Sequence, residues 1–214
     1  MRKTIALFTL LLFVLAARPQ NVDGGATELL RKVSAQYRNY SSMQFNYTLK
    51  STLGDKTLSV SKGAVKVKGG KYTTSFDDQL YVCDGESVWN FQKSTNEVSV
   101  FEYDPEDSQN IMNPQKILSG WEKHFKAKFI RDDFENNVQV SIIDLTPKTQ
   151  QSYYRIRLFV QKGSLKISKV ALYEKDNTIY TYNIEQFKSN VPFDDSVFVF
   201  DTKQYPGVEV NDMR

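Results

Sequence analysis

The sequence predicts a mainly β (α+β) fold: a curved antiparallel sheet, an incomplete β-barrel, covered by a lid of short helices. Three observations predict it. Apolar and polar residues alternate over many short runs between Met43 and Phe200, and turn-forming residues separate these runs at roughly ten-residue spacing. Helical periodicity appears in only two places, near residues 27–38 and 113–121, so no βαβ alternation sets up a parallel sheet. The 12 Tyr and 14 Phe favour strands, and a hydrophobic content of 40% over 214 residues suffices for one packed core.

The elements follow in order. Arg2 and Lys3 precede an apolar run, Ile5 to Ala17. That run is too short to span a bilayer core of about 30 Å as a helix, and it has the form of a signal-peptide core followed by small residues. Residues 1–20 are therefore expected to be an export signal and 21–214 a single mature domain. Loss of Arg2, Lys3 and Arg18 takes the formal charge from +3 to about zero, which argues against nucleic-acid binding because that needs a concentrated basic surface. Thr27 can cap a helix whose stripe is Ala26, Leu29, Leu30, Val33 and Tyr37. The period then changes to two: Met43, Phe45, Tyr47 and Leu49 mark a half-buried strand. Gly54-Asp55 turns the chain into Leu58 to Val67, where Gly63 is expected to mark a bulge. Gly69-Gly70 turns it again, into Tyr72 to Phe76. Leu80 to Cys83 follows, then the hairpin turn Asp84-Gly85, then Val88 to Phe91 and Val98 to Tyr103.

A polar loop is expected over 104–110, and Asn113-Pro114 opens a second helix carrying Ile117, Leu118 and Trp121. Phe125 to Ile130 is ambiguous. Four more strands are expected: Val138 to Leu145, Tyr153 to Val160, Leu165 to Glu174 and Thr178 to Phe187. A sheet of this extent curls rather than staying flat, and the helices must bury their apolar stripes against it. The arrangement leaves an apolar space between sheet and helices.

Catalytic constellations are absent from the pattern. His124 is the one histidine, with no ligand-type residues spaced around it for a metal and no G-x-S-x-G elbow anywhere. Lys66 to Lys71 resembles a phosphate loop only superficially, since the spacing and the following helix are wrong. The adjacent pairs Asp77-Asp78, Asp132-Asp133 and Asp194-Asp195 read as turn residues. Cys83 is the sole cysteine, so no intrachain disulfide forms. It also lies far from the export segment, so no lipid-attachment cysteine follows that segment. No enzyme, cofactor or metal is expected. The candidate ligand-binding set is the apolar inventory: Phe45, Tyr47, Leu49, Val67, Tyr72, Phe76, Trp89 and Phe91 on strands, with Ile117, Leu118 and Trp121 on the second helix.

Several stretches, in order, resemble the periplasmic outer-membrane lipoprotein carrier family (LolA-like). They are the helix Ala26-Thr-Glu-Leu-Leu-Arg-Lys-Val followed by Phe45; Lys62-Gly-Ala-Val-Lys-Val-Lys-Gly-Gly-Lys-Tyr72; and Val82-Cys-Asp-Gly-Glu-Ser-Val-Trp-Asn-Phe91. Asn113-Pro114 with Ile117-Leu118, Leu145-Thr-Pro-Lys148, and Phe198-Val-Phe200 with Pro206-Gly-Val-Glu-Val continue the match. The resemblance implies a soluble, monomeric periplasmic carrier that shields acylated lipoproteins. It implies an inner-membrane ABC-type extractor as donor and the outer membrane, or a receptor on it, as acceptor. It also implies a lid latch at Lys68, where the family's Arg bonds to helix backbone; here Lys68-Gly69 stands for the family's Arg-Pro, which keeps the charge and loses the planar fork. The same fold serves periplasmic sensors and regulators that bind lipid or protein segments, and that is the alternative reading.

Overall fold

The computed structural model describes residues 22–104 and 117–214. The Ile5 to Ala17 run, most of the expected 104–110 loop and the Asn113-Pro114 helix start lie outside the described residues. Among the described residues no helix is long and apolar enough to cross a membrane.

Helix α1 (Val22–Arg38) leads into β1 (Met43–Leu53), β2 (Lys56–Lys68), β3 (Lys71–Phe76), β4 (Gln79–Cys83), β5 (Ser87–Gln92) and β6 (Glu97–Glu102). Residues 117–118 are helical, and the one-turn helix α2 (Trp121–His124) runs directly into β7 (Phe125–Glu135). Strands β8 (Val138–Pro147), β9 (Tyr153–Gln161), β10 (Ile167–Glu174) and β11 (Thr178–Ser189) complete a second meander. Two 3-10 turns, Asp195–Phe198 and Thr202–Gln204, precede β12 (Glu209–Asp212).

All twelve strands form one sheet in the order β12-β6-β5-β4-β3-β2-β1-β11-β10-β9-β8-β7, open at its two edges. The two meanders join where β1 pairs antiparallel with β11, Tyr47 opposite Ile184 and Leu49 opposite Tyr182. Every ladder is antiparallel except the last, where β12 lies parallel to β6 with Val210 opposite Val98. That strand is not legible as one in the sequence, because all four of its residues are exposed and carry no alternation.

Side-chain alternation divides the sheet into two faces. One, called inner here, carries the main hydrophobic cluster and both helices. Met43, Phe45 and Tyr47 on β1, Val65 and Val67 on β2, and Ile143, Leu145, Ile156 and Leu158 on β8 and β9 all belong to it. Helix α1 lays Ala26, Leu30, Val33 and Tyr37 onto this face, all fully buried, at the spacing of one helical stripe. It packs beside β7. Tyr37 accepts a hydrogen bond from the Ile167 N–H at 3.0 Å.

The other, outer face differs between the two meanders. On β8–β10 it carries charge. Arg157 donates to both carboxylate oxygens of Asp144 at 2.6 and 2.8 Å, and the Arg155 guanidinium lies 3.7 Å from the centre of the Tyr173 ring. On β4–β6 it is apolar and covered. Val82, Phe91 and Val98 pack under Phe200, with Trp89, Tyr205 and Val208 around them.

Local departures from the sequence expectation have plain causes. Helix α1 begins at Val22, a turn before Thr27, because a first helical turn needs no apolar stripe. Strand β2 passes through Gly63 with no bulge; the irregularity lies at Ser51–Thr52. Gly63 is needed instead for close approach, since a Cβ there would overlap the Tyr47 ring and the Ser75 carbonyl. Phe125 to Ile130 is strand, paired with β8 from Phe125 opposite Pro147 onward. Leu165 belongs to the turn before β10, with φ at 54°.

Candidate functional site

The inner face gathers nine of the eleven candidate residues. Phe45, Tyr47, Val67, Tyr72, Leu118 and Trp121 are buried within the main cluster, and Leu49, Phe76 and Ile117 pack against it, partly buried. Register explains the strand members. Val67 opposes both Met43 and Tyr72, while Gly63 opposes both Tyr47 and Phe76, so these side chains share one face across β1, β2 and β3.

Trp89 and Phe91 are not with them. Val82 opposes Trp89 and Leu80 opposes Phe91, and these four side chains lie on the outer face under the C-terminal segment. On β5 both alternations are apolar, Val88 inward and Trp89 and Phe91 outward, so the strand alone does not say which set faces the helices. The rings of Phe200 and Tyr205 decide it, with their centroids 5.4 and 4.3 Å from that of Phe91.

Lys68 is also on the outer face. Its ammonium donates to the Phe193 carbonyl at 3.0 Å and to Asp195 at 2.7 Å. Lys71 reaches the same carboxylate at 3.0 Å. The expected latch to a lid helix is thus placed elsewhere: β2 alternation sends Val67 inward and Lys68 outward, so the lysine holds the C-terminal segment against the sheet. The two ammonium groups keep the Asp195 carboxyl down to about 2 through their hydrogen bonds and charge.

Residues the sequence reading left out complete the inner face. Tyr81 stacks on Phe76 with centroids 6.0 Å apart, and Tyr182 meets Tyr47 at 5.8 Å. Tyr180, Ile184 and Phe187 on β11 pack against the same cluster. Their period-two spacing was available; their place beside β1 was not, because that pairing joins residues about 140 positions apart.

The roof over this face is tied together. Ser34 of α1 donates to the Leu118 carbonyl at 2.7 Å in a buried hydrogen bond, and Arg31 bonds Glu122 of α2 at 2.7 Å. Gln36 donates to the Ser164 carbonyl at 2.9 Å, fastening α1 to the turn before β10. On the β11 side the contacts are rings, Tyr37 and Tyr40 each 5.8 Å from Phe187.

The chemistry of the face is apolar and uncharged. Burial pushes the phenols of Tyr37 and Tyr47 well above their ordinary range and that of Tyr182 up to about 12, so all stay neutral at any physiological pH. Among the described residues no group of three or more His, Cys, Asp or Glu gathers to hold a metal. His124 is exposed at the end of α2, where its carbonyl accepts from the Lys148 N–H at 2.8 Å. The Lys66 to Lys71 stretch is the β2–β3 hairpin, with Gly69 at a φ of 60°. The face is apolar, and among the described residues it offers no nucleophile paired with a base.

Comparison with known proteins agrees with this description. The sequence signature of the family described as outer membrane lipoprotein carrier protein LolA matches residues 38–201. An uncharacterized protein of Methanocaldococcus jannaschii is 22% identical over 176 residues, covering 81% of this chain and 51% of its own; the chain thus spans about half the length of this curated relative. Among solved structures, an uncharacterized conserved protein from Thermus thermophilus superposes with a TM-score of 0.60 at 10% identity, covering 88% of this chain and 99% of that one. A DUF1329 family protein from Desulfovibrio piger superposes with a TM-score of 0.51 at 10% identity, covering 87% and 100%. At these identities the two structures show a shared fold.

Proposed function

Because the chain belongs to the outer membrane lipoprotein carrier protein family, we propose that it carries the acyl chains of lipoproteins between membranes, held against the inner face of the sheet beneath α1 and the Leu118–Trp121 segment. The observation that supports this best is the continuity of that face. One uncharged, largely aromatic and aliphatic surface runs across both meanders and under both helices, while the outer face is charged on β8–β10 and covered on β4–β6. An acyl chain in water costs roughly 0.8 kcal/mol per CH₂. Three long chains therefore cost tens of kcal/mol to expose, and crossing an aqueous gap needs an apolar container. The container must also release its load, so its grip has to stay weaker than a membrane's; a roof that rests on the sheet through one helical stripe and a few polar links can swing away while the strand ladders stay paired.

In this reading residues 1–20 export the chain and residues 21–214 act as a monomeric carrier in the periplasm. The carrier is loaded by an inner-membrane ABC-type extractor and unloaded at the outer membrane or a receptor there. It is a binding protein rather than an enzyme.

The test is Leu118→Glu. Leu118 is 1% exposed in the cluster, and a carboxylate there disfavours both roof closure and hydrocarbon. Protein purified from the periplasm should carry acylated lipoprotein in the native state and lose it in the variant, while the β-rich circular dichroism spectrum persists. His124→Ala should retain the cargo. Wild-type protein that arrives only with non-acylated partners would instead favour the sensor reading.

A further inference from the structure

Among the described residues, three polar atoms interrupt the apolar inner face without any protein partner: Tyr47 Oη, Thr74 Oγ1 and Asn90 Oδ1. Tyr47 and Thr74 are each only 2% exposed. Leaving a buried hydroxyl without a hydrogen bond costs about 1–3 kcal/mol, and folded proteins avoid it unless something else supplies the bond.

Their positions are related by register. Thr74 on β3 opposes Val65 on one side and Tyr81 on the other, and Tyr81 opposes Asn90. Thr74 and Asn90 therefore stand in one inward-facing row, two inter-strand spacings or about 10 Å apart. Tyr47 starts from β1, but its ring lies over β2 at Gly63, the one place where that strand has no side chain, and Gly63 opposes Phe76 on β3, one same-face position from Thr74. The missing side chain at Gly63 thus lets the phenol lie over β2, on the same inner face as the Thr74 hydroxyl of β3. Either polar group could be replaced by its apolar isostere, Phe or Val, if the face served only as packing.

We propose that Tyr47 Oη and Thr74 Oγ1 form a carbonyl-binding pair, donating hydrogen bonds to the ester carbonyls where O-linked acyl chains join the head of the ligand. This deepens the carrier reading and rests on it: the apolar wall holds the chains, and the pair fixes how far they slide in. Asn90 Oδ1, further along the same row, is an acceptor for an N–H of the head group. A ligand of ester-linked chains joined to an amide fits the sequence of donors and acceptor; a plain hydrocarbon does not use them.

The test compares dipalmitoylglycerol, a diester, with its dihexadecyl diether counterpart, both presented from cyclodextrin to wild-type protein and to the Tyr47→Phe/Thr74→Val double variant. The pair predicts that the double variant weakens diester binding about tenfold more than diether binding, the worth of two neutral hydrogen bonds. It also predicts that the ligand-free variant unfolds at a temperature no lower than wild type, because the deleted hydroxyls have no protein partner. Equal weakening of both ligands, or of neither, overturns the pair while leaving the carrier reading standing; the hydroxyls then serve buried water only. Wild-type protein that binds neither ligand overturns the carrier reading and the pair with it.

Discussion

Gly63 and Lys68, five residues apart on β2, do different work because alternation sends them to different faces. Gly63 lets the Tyr47 ring lie on the strand, and a methyl group there would overlap both that ring and the Ser75 carbonyl. Since the carbonyl is part of the sheet, the clash is not relieved by a side-chain shift. Gly63→Ala should destabilise the protein by about 1–3 kcal/mol in denaturant unfolding; an unchanged midpoint would contradict the close approach. Lys68, with Lys71, holds Asp195 ionised, down to about 2 from its ordinary 3.8. The sign follows from a depressed carboxyl: the attraction is present above the ordinary value and is lost as pH falls toward about 2. All three partners are solvent-accessible, so the energy is modest. A carboxyl-carbon NMR titration of Asp195 should show a midpoint near the lower figure, and a midpoint at the ordinary value would mean the latch does not form in solution. Neither role was legible from the chain. A glycine inside a strand made Gly63 look like a bulge, and the helix latch at Lys68 was what the family resemblance implied; alternation along the chain does not say which set points toward the helices.

At the scale of elements, the C-terminal segment behaves as a cover for the outer face. Phe200 and Tyr205 are stacked with centroids 4.9 Å apart, and both lie on Phe91. Removing the Phe200 ring leaves a hole between β4–β6 and the segment. Phe200→Ala should cost about 3 kcal/mol of stability and should make residues beyond Asn190 sensitive to protease. Acyl binding should persist, because this cluster lies on the face away from the helices. Loss of binding in a folded Phe200→Ala protein would mean that the two faces communicate. Helix α1 makes the opposite prediction. Tyr37→Phe removes the acceptor of the Ile167 N–H, a buried bond worth about 1–3 kcal/mol when left unmade, so it should loosen the roof and speed ligand release. Strand existence was readable wherever one alternate set was apolar, as along Met43, Phe45, Tyr47 and Leu49. On β5, where both sets are apolar, the strand was readable but the face it turns to the helices was not, and on β12, where neither set is apolar, the strand itself was missed.

For the molecule as a whole, the sequence pattern led to the right class, an open and almost wholly antiparallel sheet with few helices, because turn residues and period-two runs are local signals. The closure between meanders was beyond that kind of reading. The β1–β11 ladder depends on contacts between distant residues, and it is this ladder that adds Tyr180, Tyr182 and Ile184 to the face begun by Tyr47 and Leu49. Which candidates share a face was legible to the extent that residues on one strand share parity; it was not legible for Trp89 and Phe91, which lie on the outer face against Phe200 and Tyr205 from the far end of the chain. The central claim is that hydrocarbon occupies the inner face and not the outer one. A triacylated lipopeptide with a diazirine along one acyl chain, photolysed in the complex and mapped by mass spectrometry, tests it most directly. The account predicts adducts on inner-face residues such as Phe45, Tyr47, Phe76 and Tyr81; adducts confined to the outer face, around Trp89, Phe91 or Tyr205, would contradict it.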